Sequence, residues 1–74
     1  MEAFFDAKLV KSKTSISNGN GKRKRWECSK YIYEWDYQHG TVEKYSKNGK
    51  HLGEYHPLTG KKLKPADPRR TIKP

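Results

Sequence analysis

Along this chain the spacing of hydrophobic positions changes once. Near the front, Ala3, Phe4, Ala7 and Val10 recur at helical spacing, with Phe5 and Leu9 beside them. That stripe predicts a short helix over Met1 to Lys11, packed on a sheet. From Arg25 onward the period is two. Arg25 to Cys28 reads as a first strand, and Tyr31 to Asp36, rich in β-forming residues, as a second. Tyr37 to Gly40 makes a turn and Thr41 to Ser46 the return strand. Asn48-Gly49 is a two-residue hairpin signal. Lys50 to His56 follows as a strand, Pro57 to Gly60 as a turn, and Lys61 to Lys64 as a last short strand. Ser12 to Gly21, rich in Ser, Asn and Gly, reads as a loop, with Ser15-Ile16-Ser17 as a candidate edge strand. Pro65, Pro68 and Pro74 mark an extended tail, because proline cannot donate to a ladder. The fold class expected is α+β: a small twisted antiparallel meander with a short N-terminal helix. Residues 1–20 form helix and linker, residues 21–74 the main body, within one compact domain.

The turns imply a register. If Asn48-Gly49 pairs Lys47 with Lys50, then Glu43 faces Glu54, Tyr45 faces Leu52 and Thr41 faces His56. If Tyr37 to Gly40 pairs Asp36 with Thr41, then Glu34 also faces Glu43. Directly opposite side chains share a face. Glu34, Glu43 and Glu54 then form a row across three strands, with Asp36 and His56 nearby. The other face carries Tyr31, Tyr33, Trp35, Val42 and Tyr55 and reads as the core face. Like charges in a row destabilise a sheet. The middle carboxylate, Glu43, is expected to be the hardest to ionise, which suits a base near neutral pH.

Composition narrows the function. The 74 residues carry 17 Lys and Arg against 8 Asp and Glu, a net charge of +9. So basic a body suits a polyanion, with nucleic acid first and an anionic membrane surface second. Apolar residues are only 31% of the chain but aromatics are 12%, so a few large rings must supply the core. The single cysteine, Cys28, excludes an internal disulfide, and no Cys/His cluster has zinc-finger spacing. No apolar run approaches a membrane span, and no signal-peptide pattern opens the chain. No stable membrane association is expected.

The basic run Lys22-Arg23-Lys24-Arg25, next to Trp26, fits a phosphate-contacting edge. Trp26 and Tyr45 are candidates for stacking on bases. RNA supplies its own nucleophile, the 2′-OH, so a metal-free ribonuclease needs a base, an acid and a cation on the phosphate. Glu43, His39 and an arginine can fill those roles, with Asp36 orienting His39 and favouring its protonated form. Asp36, His39 and Glu43 could instead hold a divalent ion. No recognised nuclease metal motif is present, however, so neither metal nor other cofactor is expected.

An ordered set of motifs carries a family resemblance. Tyr33-Glu34-Trp35-Asp36, Gln38-His39-Gly40, Glu43 and Tyr45 lead it. Gly49, His51-Leu52-Gly53, Pro57, Thr59-Gly60, Leu63-Lys64 and Asp67-Pro68 with Arg70 continue it, and Gly21-Lys22-Arg23-Lys24-Arg25-Trp26 precedes it. From Gly21 to Lys73 the chain resembles the cytotoxic domain of the ribosome-inactivating E-group colicins. The resemblance implies a bacterial toxin domain that cuts 16S ribosomal RNA at the decoding site of the small subunit, blocking translation without a metal. It places the catalytic groups on Asp36, His39, Glu43 and Arg70. RNA contacts would fall on Lys22, Arg23, Lys24, Arg25, Trp26, Tyr45, His51, Lys64 and Arg69. It also implies an acidic cognate immunity protein, and a producer that delivers the toxin into the cytoplasm of a target bacterium.

The chain departs from that pattern at several points. Thr41 stands where the colicins carry an acidic residue, the turn from Tyr45 to Gly49 is one residue shorter, and Glu54 and His56 replace less charged residues. Met1 to Asn20 lies outside the resemblance, as expected of a domain carried by another delivery system such as contact-dependent inhibition. A non-catalytic RNA-binding module of ribosomal type and a general ribonuclease toxin are the alternatives.

Overall fold

The computed structural model describes residues 1–16 and 21–74. Those residues form one six-stranded antiparallel sheet in simple sequence order. The strands are β1 (Lys8–Val10), β2 (Arg25–Glu27), β3 (Tyr31–Asp36), β4 (Thr41–Ser46), β5 (His51–Tyr55) and β6 (Lys62–Pro65). β3, β4 and β5 lie at the centre, where the β-branched and aromatic residues are concentrated.

The expected N-terminal helix shrinks to one 3₁₀ turn over Glu2–Phe4, and the chain then extends into β1. A short isolated helix is marginal because its first turn is costly to nucleate. Pairing Lys8–Val10 along β2 satisfies the backbone of both edges instead. The apolar stripe still reaches the core through Phe4. Its ring lies 4.6 Å from Tyr33 and edge-on to Tyr55 at 6.0 Å. The Ala3 N–H donates to the Pro57 carbonyl at 3.0 Å, fastening the turn to the loop between β5 and β6. The candidate edge strand at Ser15 is one isolated bridge to Lys22. Ser17 and the middle of the Ser12 to Gly21 loop lie outside the described residues.

The carboxylate row is present: Glu34 pairs with Glu43, and Glu43 with Glu54. The expectation that the opposite face forms the core is only half right. Tyr33 and Val42 are buried there, but Tyr31, Trp35 and Tyr55 are half-exposed. The row's own face is as deeply covered, burying Arg25, Ile32, Glu34, Glu43, Tyr45, His51 and Glu54. Thr14 and the tail beyond β6 lie against it.

One register detail differs with large effect. The β4–β5 connection is not a two-residue turn. Ser46 donates to Lys50, and Gly49 donates back to Ser46. Tyr45 therefore pairs with His51, while Lys44 pairs with Gly53, and the bulge leaves Leu52 unpaired. His51 instead of Leu52 thus points to the face of Glu43.

Candidate active site

The site assembles at the bend between β3 and β4 and along β4, β5 and the tail. At the bend, the Gly40 N–H closes the turn onto the Asp36 carbonyl at 2.8 Å, and Gly40 adopts a left-handed φ of 66°. Asp36 Oδ1 accepts from the N–H groups of Gln38 and His39, an arrangement typical of Asx turns. Its Oδ2 meets His39 Nδ1 at 2.8 Å. Burial opposes the Asp36 charge, but the bonds from the His39 ring and the two N–H groups outweigh it. The carboxyl is held below its usual range. A carboxylate on Nδ1 favours a proton there and turns Nε2 toward solvent.

Glu43 is held from two sides. The tail returns beside β5 by hydrogen bonds from Ile72 to Gly49 and from His51 to the Arg70 carbonyl. Gly49 permits this at a φ of 85°, since a Cβ there would overlap the Ile72 carbonyl oxygen. Arg70 is thereby delivered to Glu43, Nη1 lying 2.7 Å from Oε2. Burial works against the Arg70 charge, but the Glu43 hydrogen bond prevails and raises its pKa. On the other side His51 Nε2 lies 2.9 Å from Glu43 Oε1. Its Nδ1 accepts from the Asp67 N–H at 2.9 Å. With Nδ1 an acceptor, the His51 proton sits on Nε2 and is donated to Glu43. Glu43 therefore meets a cation and a donor, not only the like charges of its row.

His39, Glu43, His51, Glu54, Lys64, Arg69 and Arg70 line one open cleft of about 560 Å³. Asp36 sits behind His39. Of the side chains expected to bind RNA, Lys64 and Arg69 lie in this cleft and are exposed. Lys24 and Trp26 line a separate groove with Trp35 and Tyr37. Lys22 is exposed and Arg23 half-exposed.

Three of those expectations need correction. Arg25 is fully buried, its Nη2 2.9 Å from Glu34, so it is a core ion pair and not a phosphate contact. Tyr45 is 2% exposed and cannot stack on a base. Its hydroxyl accepts from Arg70 at 3.4 Å, and burial is the main influence raising its pKa. His51, 5% exposed, positions Glu43 from beneath and does not offer its ring to RNA. That role had no sequence signal, because it depends on the bulge. Glu54 was visible in the row but had no assigned part.

A family model described as Cytotoxic matches residues 1–73, including the front segment that the motif resemblance left aside. Over 64 residues, 82% of the chain, it is 55% identical to colicin E3 of Escherichia coli. Over 71 residues, 92% of the chain, it is 50% identical to colicin E6 and to cloacin, also of Escherichia coli. The chain spans 12% of the length of the first and 13% of the other two. The chain belongs to the Cytotoxic family, the colicin E3-type toxin domains.

Proposed function

We propose that this domain is a metal-independent endoribonuclease that cuts 16S ribosomal RNA at the decoding site and so stops translation. The observation that carries the reading is the Glu43–Arg70 contact of 2.7 Å in the cleft that His39, backed by Asp36, also lines. Glu43 is the base that takes the 2′-OH proton. In the free domain Arg70 covers it, and the Arg70 side chain is 39% exposed. An RNA phosphate competes for that guanidinium, which releases Glu43 Oε2 as substrate arrives. Arg70 then stabilises the charge developing on the phosphate. His39, half-exposed and oriented by Asp36 through Nδ1, protonates the leaving 5′-oxygen. His51 keeps the Glu43 carboxylate in place. Lys64 and Arg69 guide the backbone into the cleft, with Lys22, Arg23, Lys24 and Trp26 contributing from the β2 side.

The net charge of +9 favours both ribosomal RNA and an acidic immunity protein in the producer. The relation to the colicins supports delivery from a producing cell and action in the cytoplasm of a target bacterium. No described helix is long and apolar enough to cross a membrane.

The reading is tested in two arms. Wild type, His39→Ala and Glu43→Gln are added to assembled small subunits, and cuts in the 16S RNA are mapped. A decoding-site RNA fragment is treated in parallel with excess EDTA. One cut by the wild type, persisting in EDTA and lost in both variants, is expected. Undiminished cutting by the variants would sink it, and equal cutting at many sites would favour a general ribonuclease.

A further inference from the structure

The three carboxylates of the row keep unequal company. Glu34 has Arg25 and Thr14. Glu43 has Arg70 and His51. Glu54 is only 6% exposed, yet its carboxylate has no hydrogen-bond or ion-pair partner among the described residues. Glu54 lines the cleft, so its oxygens are open to solvent or to an ion there. Its neighbours suggest what it can hold: Asp36, His39 and Glu54 each place one ligand atom within 4.8 Å of the other two.

We infer that Asp36, His39 and Glu54 form a capture site for a zinc-class divalent cation, and that the bound ion silences the cleft. One imidazole and two carboxylates are an acceptable zinc donor set, whereas Mg²⁺ prefers an oxygen-only, near-octahedral shell. Zinc bonds to nitrogen and oxygen of about 2.0–2.2 Å set ligand atoms about 3.3–3.6 Å apart in a tetrahedron. The His39–Asp36 contact of 2.8 Å is a hydrogen bond shorter than that spacing, so an ion bound between them replaces the Nδ1 proton, which leaves to solvent, and the two groups part slightly. Glu54 can close the remaining distance by rotating its side chain, since it breaks no bond in doing so. His39 is 49% exposed, which gives an ion a way in. Lys64, the cross-strand neighbour of Glu54, and Arg70 oppose a cation, but Lys64 is exposed and Arg70 is engaged by Glu43. An ion held here occupies the Asp36 carboxylate and a His39 ring nitrogen. The silencing rests on the ribonuclease reading above, and the binding does not.

The test is calorimetric titration of ZnCl2 into the whole chain, for wild type, Glu54→Gln, Glu54→Ser and the control His56→Ala. Histidine ring signals are followed by NMR, and folding of each variant is checked by circular dichroism. One ion per chain is expected, weakened about 10-fold or more in both Glu54 variants and unchanged in His56→Ala. The His39 signals should move, and RNA cleavage should stop at saturating zinc and return with EDTA. Absence of saturable binding, equal affinity in both folded Glu54 variants, or unmoved His39 signals would overturn the site. Undiminished cleavage at saturation would overturn the silencing. If the ion-free wild type cut no RNA, the ribonuclease reading would fail while the titration still decided the site.

Discussion

Glu34 and Glu43 are direct cross-strand neighbours, and each meets an arginine: Arg25 at 2.9 Å, Arg70 at 2.7 Å. The two pairs have opposite uses. Arg25 comes from β2, inside the ladder, and its side chain is wholly covered. Arg70 comes from the tail, and 39% of its side chain faces solvent. A pair that nothing can enter only holds strands together. A pair with one exposed partner can exchange that partner for a substrate. Even the buried pair is imperfect, since Arg25 Nη1 and Glu34 Oε1 find no hydrogen-bond partner among the described residues, Nη1 lying 3.8 Å from Glu27. Such a pair is a weak net stabiliser that is costly to break.

Substitutions can break this contrast. The largest effect belongs to the chemistry: Glu43→Gln or His39→Ala should lower RNA cleavage by about 10²- to 10⁴-fold with thermal unfolding nearly unchanged. Next, Arg25→Ala should cost about 3–5 kcal/mol in urea denaturation, because it strands Glu34 in the core. Arg70→Ala should cost far less stability yet abolish most cleavage. If the two arginine variants lost stability equally, the distinction between the pairs would be wrong. Gly49→Ala should fall between them, at about 1–3 kcal/mol of strain, by pushing away the tail that carries Arg70. Its cleavage should drop more steeply than its melting temperature.

The smallest effect is a pH dependence. The Asp36 carboxyl titrates below its ordinary 3.8 in the folded protein. Its contribution to stability is complete above that value and is lost as pH falls through the lower folded value. Denaturation at neutral and acid pH should show the wild type weakening below about pH 4, and Asp36→Asn weakening less over the same window.

Much of the site was legible from turn chemistry. Tyr37 to Gly40 placed Asp36 opposite Thr41 and Glu34 opposite Glu43, as observed. The pairing of Glu43 with Glu54 was also foreseen, although the turn thought to set it has another form. His51 was misread because a bulge shifts side-chain direction without changing composition. Arg25 was misread because it stands in a run of four cations, and the run does not say which member points inward. The front stripe fitted a helix, but it extends as a strand after one turn, and Phe4 is the ring that reaches Tyr33 and Tyr55.

Local spacing therefore determined the strands, the bend that joins Asp36 to His39, and the row of carboxylates, because these depend on residues close in sequence. The tertiary structure decided which carboxylate is locked, which is accessible and which is left without a partner among the described residues. Those outcomes depend on Arg25, Arg70 and His51 arriving from other strands and from the tail. Spacing along one strand carries no information about when such distant groups meet.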